Sequence, residues 1–207
     1  MKMPRHGLFH RATGSARRSC GPSAPAGALL ILLTLLSAAC GAGVEVEYQR
    51  ALAALSGLEQ RVDAGFDRVR ARNDAIFAAS AWNDPAALAQ ALTAARDGMA
   101  AVAADQRSRI ARERAMLDLK AMANAPITRE LYHLDLDAQH AKLAVFDLSH
   151  EMYGALLDAA RAGGRARFDE LAGLYRGGVD AANRRYAELD LARQQRQRAL
   201  TGGDAPI

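Results

Sequence analysis

The chain has 207 residues, half of them apolar and 24% charged, with 5% aromatics, two Cys and a formal net charge of +4. That composition excludes a disordered tail, a collagen and a small disulfide-stapled domain. It also argues against a nucleic-acid binder: five of the 27 basic residues and none of the 23 acids fall in residues 1–39, leaving the remainder at about −1, so the basic balance belongs to an N-terminal address.

Residues 1–23 are basic and rich in Gly, Ser and Pro. An apolar run extends from Ala28 to Leu36, and then come Ser37, Ala38, Ala39 and Cys40. A cationic start, a short apolar stretch and small residues make a secretory signal, whose positive end stays cytoplasmic. Leu36-Ser37-Ala38-Ala39-Cys40 resembles the lipobox of bacterial lipoproteins. The resemblance implies diacylation of the Cys40 thiol, cleavage before it by the lipoprotein signal peptidase, and acylation of the new amino terminus. The lipobox usually carries Leu three residues before the cysteine; Ser37 stands there, with Leu36 one step further out. The resemblance covers residues 1–40 and carries no information on the chain beyond Cys40. Three other readings stay open, one of them a misplaced start codon, since the cationic segment is long. Ser37 and Ala39 also suit ordinary signal peptidase, and the uncharged run 23–44 is long enough to span a bilayer, which takes ~20 residues. Gly41, where an Asp retains many lipoproteins in the inner membrane, implies by the same resemblance the periplasmic face of the outer membrane. With Cys20 removed and Cys40 acylated, the mature chain has no thiol to pair, and its stability must come from core burial.

The expected organisation is a signal peptide at 1–39, the acylated cysteine and a short linker at 40–43, a helical bundle at 44–200 and a flexible tail at 201–207. Past Cys40 the chain is rich in Ala and Arg, both strong helix formers. Pro85, Pro126 and the Gly163-Gly164 pair divide it into pieces 44–81, 85–124, 126–162 and 165–200, between 36 and 40 residues each. Helices of that length measure ~54–60 Å. Equal pieces joined by tight breaks predict an all-α fold, an up-down-up-down bundle of four long helices with coiled-coil-like seams. Asn83-Asp84-Pro85 places capping side chains before a proline at a first helical position; Pro126 repeats the break without a good cap.

The apolar rhythm agrees. In the first piece Leu52, Leu55, Val62, Phe66, Val69 and Ile76 follow a heptad rhythm of three and four, with Glu59 and Asn73 as gaps. In the second, Leu88, Leu92, Ala95, Met99 and Val102 do so, and Ile110, Leu117 and Met122 resume after a shift of phase. In the fourth, Phe168, Leu171, Tyr175, Ala182 and Leu189 share a line with Gly178, which reads as a kink or a close helix approach. Trp82, just past the first piece, is expected to plug the distal tip or, alternatively, to contact a partner.

The third piece carries two stripes. Ile127, Leu131, Leu134, Ala138, Ala141, Val145, Leu148, Met152, Ala155 and Ala159 form one, and Tyr132, Leu136, Gln139, Leu143, Phe146, His150, Tyr153 and Leu157 the other. At ~100° per residue they lie ~150° apart, so this helix must be sandwiched. Either it sits centrally within the fold, or Tyr132, Leu136, Leu143, Phe146, His150, Tyr153 and Leu157 form a partner-binding face.

Three acid–His pairs at i, i+3 fall on the same helix: Glu130 with His133, Asp137 with His140, Asp147 with His150. That spacing is used by metal-binding carboxylate bundles, which place such pairs on facing helices. Glu130, His133, Asp137 and His140 share the polar strip between the stripes, so a metal site there competes with a solvated face. His150-Glu151-Met152-Tyr153-Gly154 starts like a zincin motif, but Gly154 replaces the second metal-binding His. No nucleotide loop, nucleophile elbow or Cys-x-x-Cys-His is present, and no cofactor is expected. Two basic runs, Arg107–Arg109–Arg112–Arg114 and Arg193–Arg196–Arg198, read as solvated faces or as contacts to anionic headgroups.

These features predict a lipid-anchored protein of the cell envelope acting as a non-catalytic helical binding or scaffolding module. Its partners are the membrane, through the anchor, and a protein or a second copy of itself, with no nucleic acid. The alternative is a periplasmic ligand- or metal-binding bundle using the acid–His strip.

Overall fold

The computed structural model describes residues 42–119, 122 and 125–201; the signal segment, Cys40 and residues 202–207 lie outside the described residues. Every regular element among the described residues is helical. In order they are α1 (Ala42–Arg70), the short α2 (Asn73–Phe77), a 3-10 turn (Ala79–Asn83), α3 (Pro85–Leu117), α4 (Pro126–Arg161) and α5 (Arg165–Thr201). The four long helices run up-down-up-down, α1 against α3, α3 against α4 and α4 against α5. The expected bundle is the observed one. No helix among the described residues is long and apolar enough to cross a membrane.

The breaks work as the residues dictate. The Asp84 carboxylate accepts the Ala87 N–H at 2.9 Å, and Pro85 begins α3 where its missing N–H goes unused. Pro126 starts α4 with no side-chain cap from Ala125. Gly163 takes a φ of +68°, a conformation cheap only for glycine. There Gly164 N–H donates to Ala159 O and Gly163 N–H to Ala160 O, each at 3.0 Å, which closes α4 as a Schellman turn.

Two helices end earlier than their apolar rhythm predicts. The first stops at Arg70, not near Ala81, and the chain folds α2 and the 3-10 turn across the distal end of the bundle. This bend carries Ile76 into the core and sets the Phe77 and Trp82 rings 6.2 and 5.4 Å from Phe168, at the start of α5. A straight continuation would have projected these rings past the top of the bundle; the bend turns them into the plug expected of Trp82. At the other end α3 stops at Leu117, and Met122 returns to pack with Tyr48, Leu55 and Met116.

The interior is two apolar clusters. The larger runs from Val62 and Val102 through Phe146 and Leu157 to Phe168. The smaller, of Tyr48, Leu55, Met116 and Met122, lies at the end where α1 begins. Two readings need correction. There is no phase shift in α3: the series Met99, Ala103, Gln106, Ile110, Glu113 and Met116 is buried without interruption, with polar residues at two interior positions. Gly178 is not at a core position; it is exposed, and Val179 faces the core in its place.

Candidate functional site

α4 is the central helix, and this decides the fate of its second stripe. Leu136, Phe146, Tyr153 and Leu157 are between 0% and 7% exposed, and Tyr132, Leu143 and His150 are half-buried. Each finds cover within the chain. The Phe146 ring lies 5.4 Å from Phe66 of α1, and the Tyr153 hydroxyl donates to Asn73 Oδ1 at 2.6 Å. The Tyr132 hydroxyl meets that of Tyr48 at 3.3 Å, and burial holds the Tyr132 phenol far above its usual range. The His150 ring N–H donates to Arg96 O at 3.1 Å. Buried residues of the first stripe, Ala138, Val145 and Ala159, lie on the opposite side of the same helix. The partner-binding assignment of the second stripe is therefore replaced: α1 and α3 occupy it, and it is core.

The acid–His strip does not converge either. Glu130 is drawn away to α5, where Arg196 grips it through two hydrogen bonds of 2.6 and 3.0 Å. That hydrogen bonding lowers the Glu130 carboxyl pKa. His133, Asp137 and His140 instead line an open cleft of about 430 Å³ with Arg114, Asp118 and Arg129, between the end of α3 and the first turns of α4. Arg114 donates to His140 Nε2 across it at 3.4 Å. Among the described residues no three His, Cys, Asp or Glu side chains come close enough to share a metal ion. The quartet is divided: Arg196 holds Glu130, while His133, Asp137 and His140 share the cleft.

The strongest cluster of ionisable groups is one the sequence pattern hid. Between the two apolar clusters, Gln106, Arg109 and Glu113 of α3 meet Asp135 and Gln139 of α4 and Arg193 of α5. Arg109 donates to Glu113 at 3.1 Å and to Asp135 at 2.9 Å. Gln106 Nε2 donates to the backbone and side-chain oxygens of Gln139, both at 3.0 Å. Arg193 closes the layer, 3.4 Å from Asp135 and 2.7 Å from Asp190.

Burial first, and the nearby Asp135 charge second, push the Glu113 carboxyl up to about 9. Burial also works against the charge on Asp135, but Arg109, a hydrogen bond with Glu113 and Arg193 outweigh it and hold that carboxyl below its usual range. A neutral Glu113 leaves two cations, Arg109 and Arg193, facing two anions, Asp135 and Asp190. The layer is then electrically balanced, as a desolvated cluster must be. Glu113 Oε1 and Gln106 Oε1 remain buried without a hydrogen-bond partner.

The layer's signal is present in the sequence: Gln106 and Glu113 stand seven residues apart on the line of Met99, Ala103 and Ile110. Of the two basic runs, Arg109 and Arg193 belong to this layer, Arg107 pairs with Asp147 and Arg196 with Glu130. Neither run is a continuous basic surface. A scan against protein-family models finds no match to the chain, and searches of curated proteins and of solved structures find none.

Proposed function

We propose that this chain is a membrane-tethered lipoprotein of the cell envelope, held by acylated Cys40, whose mature part is a non-catalytic helical interaction or scaffolding module. The carrying observation is the sequence Leu36-Ser37-Ala38-Ala39-Cys40 at the end of an uncharged run, with helix α1 beginning at Ala42, two residues later. So short a connection sets the end of the bundle bearing Tyr48, Met116 and the first turns of α4 against the bilayer. Two or three acyl chains bury enough methylenes, at ~0.8 kcal/mol each, to make the attachment permanent. The periplasmic face of the outer membrane is the proposed location, from Gly41 after the cysteine.

The interior favours a structural role. Ion pairs bridge neighbouring helices, among them Arg109 with Asp135, Arg196 with Glu130 and Lys142 with Asp63, and the cleft beside His140 is open to solvent. Replacing Cys40 by Ser tests the reading. The wild-type chain is expected to incorporate labelled fatty acid and to run at the size of a chain beginning at residue 40, and Cys40→Ser to incorporate none. Equal labelling of the two chains, or no label in either, overturns the tether.

A further inference from the structure

α5 buries one side against α4 and turns another wholly outward. That outer side carries, at steps of three and four on either side of the adjacent pair Gly177 and Gly178, Arg167, Glu170, Leu174, Ala181, Arg185 and Glu188, all exposed like the two glycines. At ~100° per residue they fall within an arc of ~100°. Leu174 is 70% exposed, the most of any large apolar side chain among the described residues.

Two features of this face have no use inside the chain. The first is the glycine pair. A Cβ built on Gly177 or Gly178 meets nothing within 4 Å, so neither glycine is needed for packing, and each costs helix stability relative to alanine. The second is the order of the charges. Arg167 pairs with Glu170 and Arg185 with Glu188, both exposed i, i+3 pairs that add little to one helix. Laid antiparallel on itself about the Gly177–Gly178 peptide, however, the helix sets Arg167 opposite Glu188 of the second copy. The same register sets Glu170 opposite Arg185, Leu174 opposite Ala181, and glycine against glycine. Sliding the register to bring like positions together puts Arg167 against Arg185 or Glu170 against Glu188, which repels. Only this register sets all four charged residues opposite a residue of the other sign, as a two-fold interface requires.

We infer that the outer face of α5 pairs antiparallel with the same face of a second copy of this chain, across a two-fold axis at Gly177–Gly178. The glycines let the helix backbones approach closely, Leu174 packs on Ala181 from each side, and the four charged residues fix the register. α5 ends where α1 begins, so the two chain starts lie at opposite ends of the pair. This pairing names the partner of the interaction module proposed above and rests on that reading for the class of partner, not for the anchor.

Two experiments on the full chain decide it. Copies bearing Leu174→Cys and Ala181→Cys are co-expressed and treated in membranes with a short thiol cross-linker. A cross-link joining position 174 to position 181 is expected from the mixed copies, with a loss of most product when either substitution is used alone. In the second experiment, differently tagged copies are co-purified from solubilised membranes. Arg167→Glu with Arg185→Glu makes the face wholly acidic; Glu170→Arg with Glu188→Arg makes it wholly basic. Each reversed chain is expected to lose self-association, about tenfold or more in dissociation constant, while the acidic and basic chains pair with each other. Absence of the 174–181 cross-link overturns the inference, and so does undiminished self-pairing of either reversed chain. Fatty-acid labelling, followed in parallel, reports on the Cys40 tether independently.

Discussion

Gly65 on α1 and Val102 on α3 face each other so closely that a Cβ on Gly65 would lie 2.7 Å from Val102 Cγ2. One turn along, the relation is reversed: a Cβ on Gly98 would lie 2.8 Å from Val69 Cγ2. Each valine fills the notch left by a glycine of the other helix. Gly65→Ala forces one of these backbones outward, at a cost of ~1–3 kcal/mol, against a gain in helix propensity of ~1 kcal/mol. Net destabilisation is expected in urea unfolding, partly relieved when Val102→Ala is added. Gly173→Ala, with open space around its Cβ, is expected to stabilise by up to ~1 kcal/mol.

The buried layer makes stability pH-dependent through Glu113. Its folded carboxyl titrates near 9, well above its ordinary value near 4.5, so between those values the folded state holds a proton that the unfolded state has released. Stability therefore falls as pH rises through that window, by at most ~1.4 kcal/mol per pH unit from this group. Glu113→Gln keeps the neutral shape without the proton. Chemical denaturation at several pH values is expected to show a flatter decline for Glu113→Gln between about 5 and 9.

Asp135 has the opposite sign. Its carboxyl is held below the usual range, so its contribution is present at neutral pH and is lost as the solution is acidified through its folded pKa. Asp135→Ala leaves Arg109 and Arg193 facing each other with one fewer anion in a desolvated layer. A loss of ~3–5 kcal/mol is expected, as for other buried pairs broken from one side. Asp135→Asn is expected to recover part of it by keeping hydrogen bonds to Arg109 and Gln139.

Much of this architecture is legible in the sequence. Pro85, Pro126 and Gly163 mark the breaks by chemistry that acts locally, so they read directly. The two stripes of α4 also read directly, because a helix with two apolar faces has to be central. What covers the second stripe is a tertiary fact: Phe66 and Asn73 reach it from α1 and α2, and nothing in the local pattern of α4 says so. Gln106 and Glu113 break the apolar rhythm of α3 while occupying interior positions, because Arg109, Asp135 and Gln139 satisfy much of their polarity; a pattern of apolar residues alone takes that for a phase shift. The neighbours Gly178 and Val179 differ by ~100° on the helix, enough to move a core position to the surface over a single residue. Glu130 lies on the same strip as His133, and only the arrival of Arg196 from α5 separates them.

The burial of Phe146 separates core from partner surface most sharply. At 2% exposure, with Phe66 on one side of the ring and Lys142 Nζ 6.0 Å from its centre, it belongs to the main cluster. Phe146→Ala is expected to cost ~3–5 kcal/mol and to lower the melting temperature of the single chain at any protein concentration. A stable Phe146→Ala chain that has lost only an intermolecular contact would reverse the placement of the stripe.

The tether at Cys40 underlies the whole functional account, and an intact mass spectrum of the protein extracted from membranes tests it most directly. A chain that begins at Cys40 is expected, with residues 1–39 gone and the added mass of two or three acyl groups on that residue. A mature chain beginning elsewhere, or Cys40 carrying a free thiol, would contradict it.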